Sequence, residues 1–413
     1  MLGKVDIDHG AYWIIKTLQG AGYTTYLVGG AVRDCLLDIV PKDYDISTTA
    51  TPQQVKKLFG RGARIIGRRF QIVHIYKNRS IYEISTFRRT PSEEERKGRV
   101  NDEGLMVWRD NEWGTPEEDA FRRDFTANAL FMDPLKESEI LDYCGGIDDI
   151  KNGVVRSLGD PCIRFEEDPV RMLRALKLVG QYGFKLDEPV RSAIQDLGEK
   201  ITLVSERRLY EEILKLTYKP YLAPTLVACH EVGLLKYLLP EVADMLDSED
   251  AEQFLKLIAD RDAKIVAGCS LSRAYSLALL AYRFVEKGLN PDSEFGDGWE
   301  RFDGIEVKVR KLVEEVLGPY QMTRAISSRV RDVLLLLTRL QSNKGHNKTR
   351  NNPEFHYAWL LFNSLADTLS WPEEVTEPWK EEDSLTNRRP RSFDGRPPRK
   401  KKRNRRRRPK PNA

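Results

Sequence analysis

Residues 27–34 read LVGGAVRD and residues 42–47 read KDYDIS, and the way these two stretches follow one another decides the fold. The first sets Gly29 and Gly30 between a β-branched apolar run (23–28, YTTYLV) and a helical pattern (31–37, AVRDCLL), which predicts strand, tight turn, helix. Paired glycines let backbone N–H groups approach a phosphate at the positive end of a helix. Arg33, one turn further on, adds a charge-assisted donor. In the second stretch Asp43 and Asp45 flank Tyr44. An extended backbone there sends both carboxylates to one face. Two acids on one face repel each other unless a cation lies between them, and that is what in-line phosphoryl transfer with two Mg²⁺ ions requires. A glycine pair alone is an ordinary turn, and an Asp-x-Asp alone is a solvated one. The 13-residue step from Gly30 to Asp43 makes the two informative together.

Working outward, residues 64–66, 70–76 and 81–86 read as further strands. Residues 52–59 read as a helix, with Thr51 as its N-cap and Pro52 at its first position. Residues 90–115 are polar and glycine-punctuated, a mobile loop. A metal site of this kind needs a third acid, and there are two candidates. Glu83 lies in the strand 81–86, where an exposed strand acid is the plain alternative. Asp124 lies in RRDFT (122–126), where a surface ion pair is the plain alternative. Arg123, beside it, suits a triphosphate.

From about residue 161 strand signals give way to helical periodicity as far as about 369. At its start stands EDPVRMLRALK (167–177), with Pro169 marking a helix N-terminus. Asp168, Arg171 and Arg174 are spaced by three and are expected on one helical face. An acid and an arginine so placed can pair with the edge of a base, acceptor to amino group and donor to ring nitrogen. Surface i,i+3 ion pairs are the structural alternative.

Composition narrows the class. The 413 residues are 40% hydrophobic and 31% charged, enough for two or three cored domains. The longest apolar runs, such as 333–337, are far too short to span a membrane, and no signal peptide is expected. Five cysteines form no CxxC pair and the histidines no ligand spacing, so a cytoplasmic setting without a zinc site or disulfide framework is expected. The net charge of +4 conceals an asymmetry. Residues 386–413 hold fourteen Lys and Arg against Asp394, a charge of +13, which leaves 53 basic and 62 acidic residues elsewhere, a net of −9. A polyanionic partner reached through a disordered basic tail follows.

The four segments 27–34, 42–45, 122–128 and 167–174, in this order, resemble the class II nucleotidyltransferases, the family of bacterial poly(A) polymerases and CCA-adding enzymes. Similarity runs from about residue 23 to 240, including LLKYLLP (234–240). The resemblance implies an α/β polymerase-β-like nucleotidyltransferase head, all-α neck and body domains, and the disordered tail. The boundaries are 1–160 for the head, 161–240 for a neck that recognises the nucleobase and RNA, 241–385 for the body and 386–413 for the tail. It further implies Asp43 and Asp45 as ligands of a two-metal Mg²⁺ site, with Asp124 as the third catalytic acid ahead of Glu83. Gly29, Gly30, Arg33, Arg123 and Arg174 would contact the nucleotide, and Asp168 and Arg171 would act as a protein template for its base. Lys177 stands where many relatives carry Arg, and Ala127 where Ile is usual. IIGRRFQIVH (65–74) resembles the stretch that marks the poly(A) polymerase branch, as does the basic tail. ATP as substrate and RNA 3′ ends as partners follow. The alternatives are CCA addition to tRNA, or an RNA-binding protein without catalysis on the same scaffold. No oligomeric state is indicated.

Overall fold

The computed structural model describes residues 7–67, 71–78, 80–89, 112–317, 322–343 and 346–380. Most of the expected mobile loop (90–111), the Arg68-Arg69 pair and the whole basic tail lie outside them.

The head is built on a seven-stranded sheet. Its strands are β1 (Thr25–Val28), β2 (Asp45–Thr48), β3 (Ala63–Ile66), β4 (Ile72–Lys77), β5 (Ser80–Thr86), β6 (Leu130–Asp133) and β7 (Glu139–Asp142), in the order β3-β4-β5-β2-β1-β6-β7. β2 and β5 pair in parallel, and every other neighbouring pair is antiparallel. One face carries Leu27, Ile46, Val73, Ile75 and Ile84. It packs on helices α1 (His9–Gly20), α2 (Gly30–Leu36) and α3 (Pro52–Phe59) through Ile14, Ile15, Val32 and Val55. α3 begins where its cap signals place it: Thr51 Oγ1 accepts from Gln54 N at 3.2 Å and Gln54 Oε1 from Thr51 N at 2.8 Å.

The other face is divided. Over β1 and β6, Val28 and Phe131 are roofed by a small cluster with Phe87, Leu158 and Ala120 of α4 (Pro116–Arg122). Over β2 to β3 the cross-strand register sets Asp45, Glu83, His74 and Arg64 in a row outside both core clusters. Among the described residues the head's floor is therefore half covered and half open, and the step falls at Asp45.

Sequence reasoning missed α1, β6 and β7, and placed Asp43 inside a strand. β2 starts at Asp45, and Asp43 lies in the preceding bend. Strand alternation is therefore not what brings the two acids together. Residues 112–115 also depart from the expected loop. Trp113 bridges to Arg88, and Thr115 caps α4 through Glu118 N at 3.2 Å.

Beyond the head, α5 (Gly146–Asn152) leads to α6 (Pro161–Glu167), α7 (Val170–Tyr182), α8 (Glu188–Leu197), α9 (Glu206–Leu216) and α10 (Leu222–Glu231). Helices continue to Glu373–Lys380. One exception to the all-helical expectation is a two-residue strand, Lys185–Leu186, parallel to Val154–Val155. The apolar run 333–337 is buried within the helix Arg324–Gln341. Among the described residues no helix is long and apolar enough to cross a membrane.

Candidate active site

A cleft of about 590 Å³ opens between the stepped face of the sheet and the start of α7. Six arginines line it (Arg33, Arg88, Arg122, Arg123, Arg171, Arg174) against three aspartates (Asp45, Asp124, Asp168). Such an excess of fixed positive charge suits a triphosphate. Gly29 and Gly30 leave one wall bare of side chains. Gly29 sits at φ 69°, and a Cβ there would lie 3.0 Å from Arg123 Nη1, so both backbone and space demand glycine. At Gly30 a Cβ would crowd the Arg33 guanidinium at 3.2 Å.

The arginines differ in what already holds them. Arg33 is buried and donates to Asp34 Oδ1 at 2.8 Å, Asn128 Oδ1 at 2.5 Å and Tyr182 Oη at 2.5 Å. It braces the glycine turn against α7 rather than offering a free fork. Arg123 is aimed by buried Asp119 at 2.8 Å and donates to the Asn128 carbonyl at 3.4 Å. Asp119 also accepts from Arg88 N at 3.3 Å, a positioning role with no sequence signal beyond the α4 capping pattern. Arg164 on α6 donates to the carbonyls of Arg122 and Arg123 at 2.6 and 2.5 Å, a second tie between the helices and the head.

At the acid end, Glu83 pairs with Asp45 directly across β2 and β5. Burial among protein atoms, then repulsion from Glu83 and from Asp43, outweigh the attraction of Arg123 and push the Asp45 carboxyl up to about 6. Asp45 is nonetheless exposed at the cleft floor, so water reaches a group that the surrounding protein poorly solvates. Glu83 Oε1 lies 3.3 Å from His74 Nε2, in ion-pair reach but without hydrogen-bond alignment. Asp124 belongs to a different cluster. It accepts from Asn128 Nδ2 at 3.2 Å and faces Arg174 Nη1 at 3.7 Å. Of the two candidates for a third acid, Glu83 stands beside Asp45, and Asp124 sits with the basic wall.

Among the described residues no three ligand side chains converge as a preformed metal cage. Mg²⁺ does not need one, because it is ordinarily held by one or two carboxylates, waters and substrate phosphates. The mutual repulsion that raises Asp45 is relieved by a divalent cation, so these residues fit one.

At the other end, Asp168 precedes α7 and caps it, accepting from Val170 N at 3.2 Å. Its second oxygen takes 2.7 Å from Arg208 Nη2 on α9, a partner that sequence spacing did not reveal. Arg171 and Arg174 lie within α7, so the expected shared helical face holds for those two, and Asp168 joins the cleft from the cap. Arg171 Nη1 meets Glu167 and the Arg164 carbonyl at 3.1 and 2.9 Å. Half-buried Lys177 is paired with buried Glu212, which takes it away from any phosphate.

Residues 25–156 match the poly A polymerase head domain family, and residues 183–246 match the family described as the probable RNA- and SrmB-binding site of polymerase A. Poly(A) polymerase I of Haemophilus influenzae is 30% identical over 370 residues, 88% of this chain and 81% of that protein. The chain belongs to the class II nucleotidyltransferases. Within this family, poly(A) polymerase I of Escherichia coli O6:H1 is 32% identical over 382 residues, covering 89% of this chain and 80% of its own length. The CCA-adding enzyme of Geobacillus sp. strain WCH70 is 40% identical over 231 residues, 55% of this chain and 54% of that enzyme. The fold is that of the solved Bacillus stearothermophilus CCA-adding enzyme in complex with CTP (TM-score 0.63, 24% identity, 90% of this chain and 82% of that one).

Proposed function

We propose that this nucleotidyltransferase adds AMP from ATP to RNA 3′ ends without a template, the activity of a poly(A) polymerase. The observation that carries the transferase reading is Asp45, with Asp43 and Glu83 acting on it, in the floor of a cleft lined by six arginines and a bare glycine wall. Bound at Asp43 and Asp45, Mg²⁺ would supply Lewis-acid activation of the 3′-hydroxyl and charge neutralisation on the leaving pyrophosphate. Arg123 and Arg174 bind the triphosphate, and the Gly29-Gly30 wall admits it. Glu83 is the third acid, whereas Asp124 aims Arg174 and Asn128.

The choice of ATP rests on two supports. The poly(A) polymerase relatives align along 80% or more of their length, whereas the CCA-adding enzyme aligns along 54%. Arg208 also takes up one Asp168 oxygen, which leaves Arg171 as the main reader of the base. A template held this way has one setting, which suits a single nucleotide. CCA addition is the second reading, favoured by the higher identity, 40%, over the 231 residues that align with that enzyme. Labour then divides into a transferring head (1–160), a base-reading neck (161–240), a supporting body (241–385) and the basic tail (386–413), whose charge suits retention of RNA.

The test supplies ATP and CTP separately, with Mg²⁺, to an unstructured RNA and to a tRNA lacking its CCA end. Long extensions from ATP alone are expected on both. Two C and one A added to the tRNA, then arrest, would establish the second reading. No incorporation of any nucleotide would leave a binding protein.

A further inference from the structure

The triphosphate wall lies on one flank of Asp45. Gly29, Gly30, Arg123 and Asn128 all stand at the β1–β6 side. In-line displacement sets the entering oxygen opposite the leaving one. The acceptor strand must then arrive from the other flank, across β5 and β4, which is the half of the sheet that no described residue roofs. The residues waiting there are Glu83, His74 and Arg64 in one row, with Tyr76 and Ile81 paired beside it. Tyr76 and Ile81 are 45% and 47% exposed on a sheet whose opposite face is fully packed. The His74 and Tyr76 rings meet edge to face, centroids 6.4 Å apart, so the Tyr76 ring has a neighbour that limits its swing.

From the proposed transferase reading and this register we infer that the exposed pair Tyr76–Ile81, backed by half-buried His74, seats the 3′-terminal base of the acceptor RNA. Single-stranded RNA is held without sequence choice by stacking its bases on aromatic faces while cationic side chains follow the phosphates. Tyr76 offers the face, Ile81 an apolar edge beside it, and Arg64 the cation at the outer end of the row. Arg64 stands three strand spacings from Asp45, ~14 Å at ~4.8 Å each. That places a phosphate contact upstream of the reacting end and off the acids themselves. The occupant is single-stranded RNA because a strip leading straight to the acid group must deliver a hydroxyl to it.

An acceptor oligonucleotide carrying 2-aminopurine as its 3′-terminal base should lose fluorescence on binding the full-length protein. Tyr76→Ala should abolish that quenching and raise KM for RNA about tenfold, with KM for ATP held within about twofold. Tyr76→Phe should keep both wild-type values, because the ring and not its hydroxyl stacks. Equal quenching and equal RNA KM in wild type and Tyr76→Ala overturn the inference. So does a parallel rise in KM for ATP, which marks general damage to the head. Absence of nucleotide transfer by the wild-type protein overturns the transferase reading and this inference with it. The wild-type transfer assay alone tells that failure from the others.

Discussion

Two clusters of charge in this molecule use similar side chains to opposite ends. In the helical body, Glu286 is completely buried, yet it accepts from Gly298 N at 2.6 Å, Tyr282 Oη at 2.8 Å and Arg283 Nη1 at 2.6 Å. Arg283 in turn reaches Asp250 at 2.7 Å and the carbonyls of Ser293 and Glu294 at 2.9 Å. In the head, among the described residues, the carboxylates of Asp43 and Asp45 accept no hydrogen bond, and Asp45 has a second acid directly across the ladder. Charge that is buried and balanced holds a fold together. Charge that is clustered, of one sign and open to solvent is held in readiness for something brought from outside.

The contrast can be broken most severely at the acid group. Asp43→Ala or Asp45→Ala should lower nucleotide addition by at least about 10³-fold while the melting curve stays cooperative, because several kcal/mol of charge stabilisation is lost. Near wild-type turnover in either variant would remove the metal-site assignment. The body cluster should respond the other way round. Glu286→Ala strips the buried Arg283 of one of its two acidic partners and leaves the N–H groups of Gly296 and Gly298 unanswered, and should cost about 3–5 kcal/mol in urea unfolding. The fraction that remains folded should turn over normally. A loss of turnover without a loss of stability would dissolve the distinction between the clusters.

A smaller effect sharpens it. The Asp45 carboxyl titrates near 6 in the folded protein against 3.8 for the free side chain, so the folded state holds the extra proton between about pH 4 and 6. Without Mg²⁺, stability should therefore fall as pH rises through that window. For so exposed a group the amplitude is about 1 kcal/mol after solvent screening. Asp45→Asn should flatten the slope and melt slightly higher than wild type at pH 7. Added Mg²⁺ should raise the wild-type melting temperature at pH 7 more than at pH 5. Thermal melts across a pH series, with and without Mg²⁺, measure all three.

What could be read from the sequence was whatever local chemistry writes there. The Thr51 cap, the glycine turn at Gly29 and the helix opening near Pro169 depend on a few consecutive residues, and each is where expected. The partnership of Asp45 with Glu83 was not legible, since it depends on parallel pairing of β2 with β5 across an intervening helix and two strands. That Tyr182 holds Arg33 was hidden too, since it does so from 149 positions away and leaves no mark near it. Asp168 and Arg208 are separated by 40 positions and two α-helices, so their ion pair was equally hidden. The strand β6 is buried along its whole length and β7 shows no alternation of buried and exposed positions, so neither carries a period of two.

The bare half of the sheet has a consequence for descent. Side chains at Arg64, Tyr76 and Ile81 contribute to neither core cluster of the head, so exchanging them shifts stability by only about 0.5 kcal/mol. The roofed half, with Phe87 and Phe131 packed beneath α4, has no such freedom. A lineage could therefore retune which RNA ends it accepts through changes on the open strands, while the acids, the glycine wall and the packed core stay fixed.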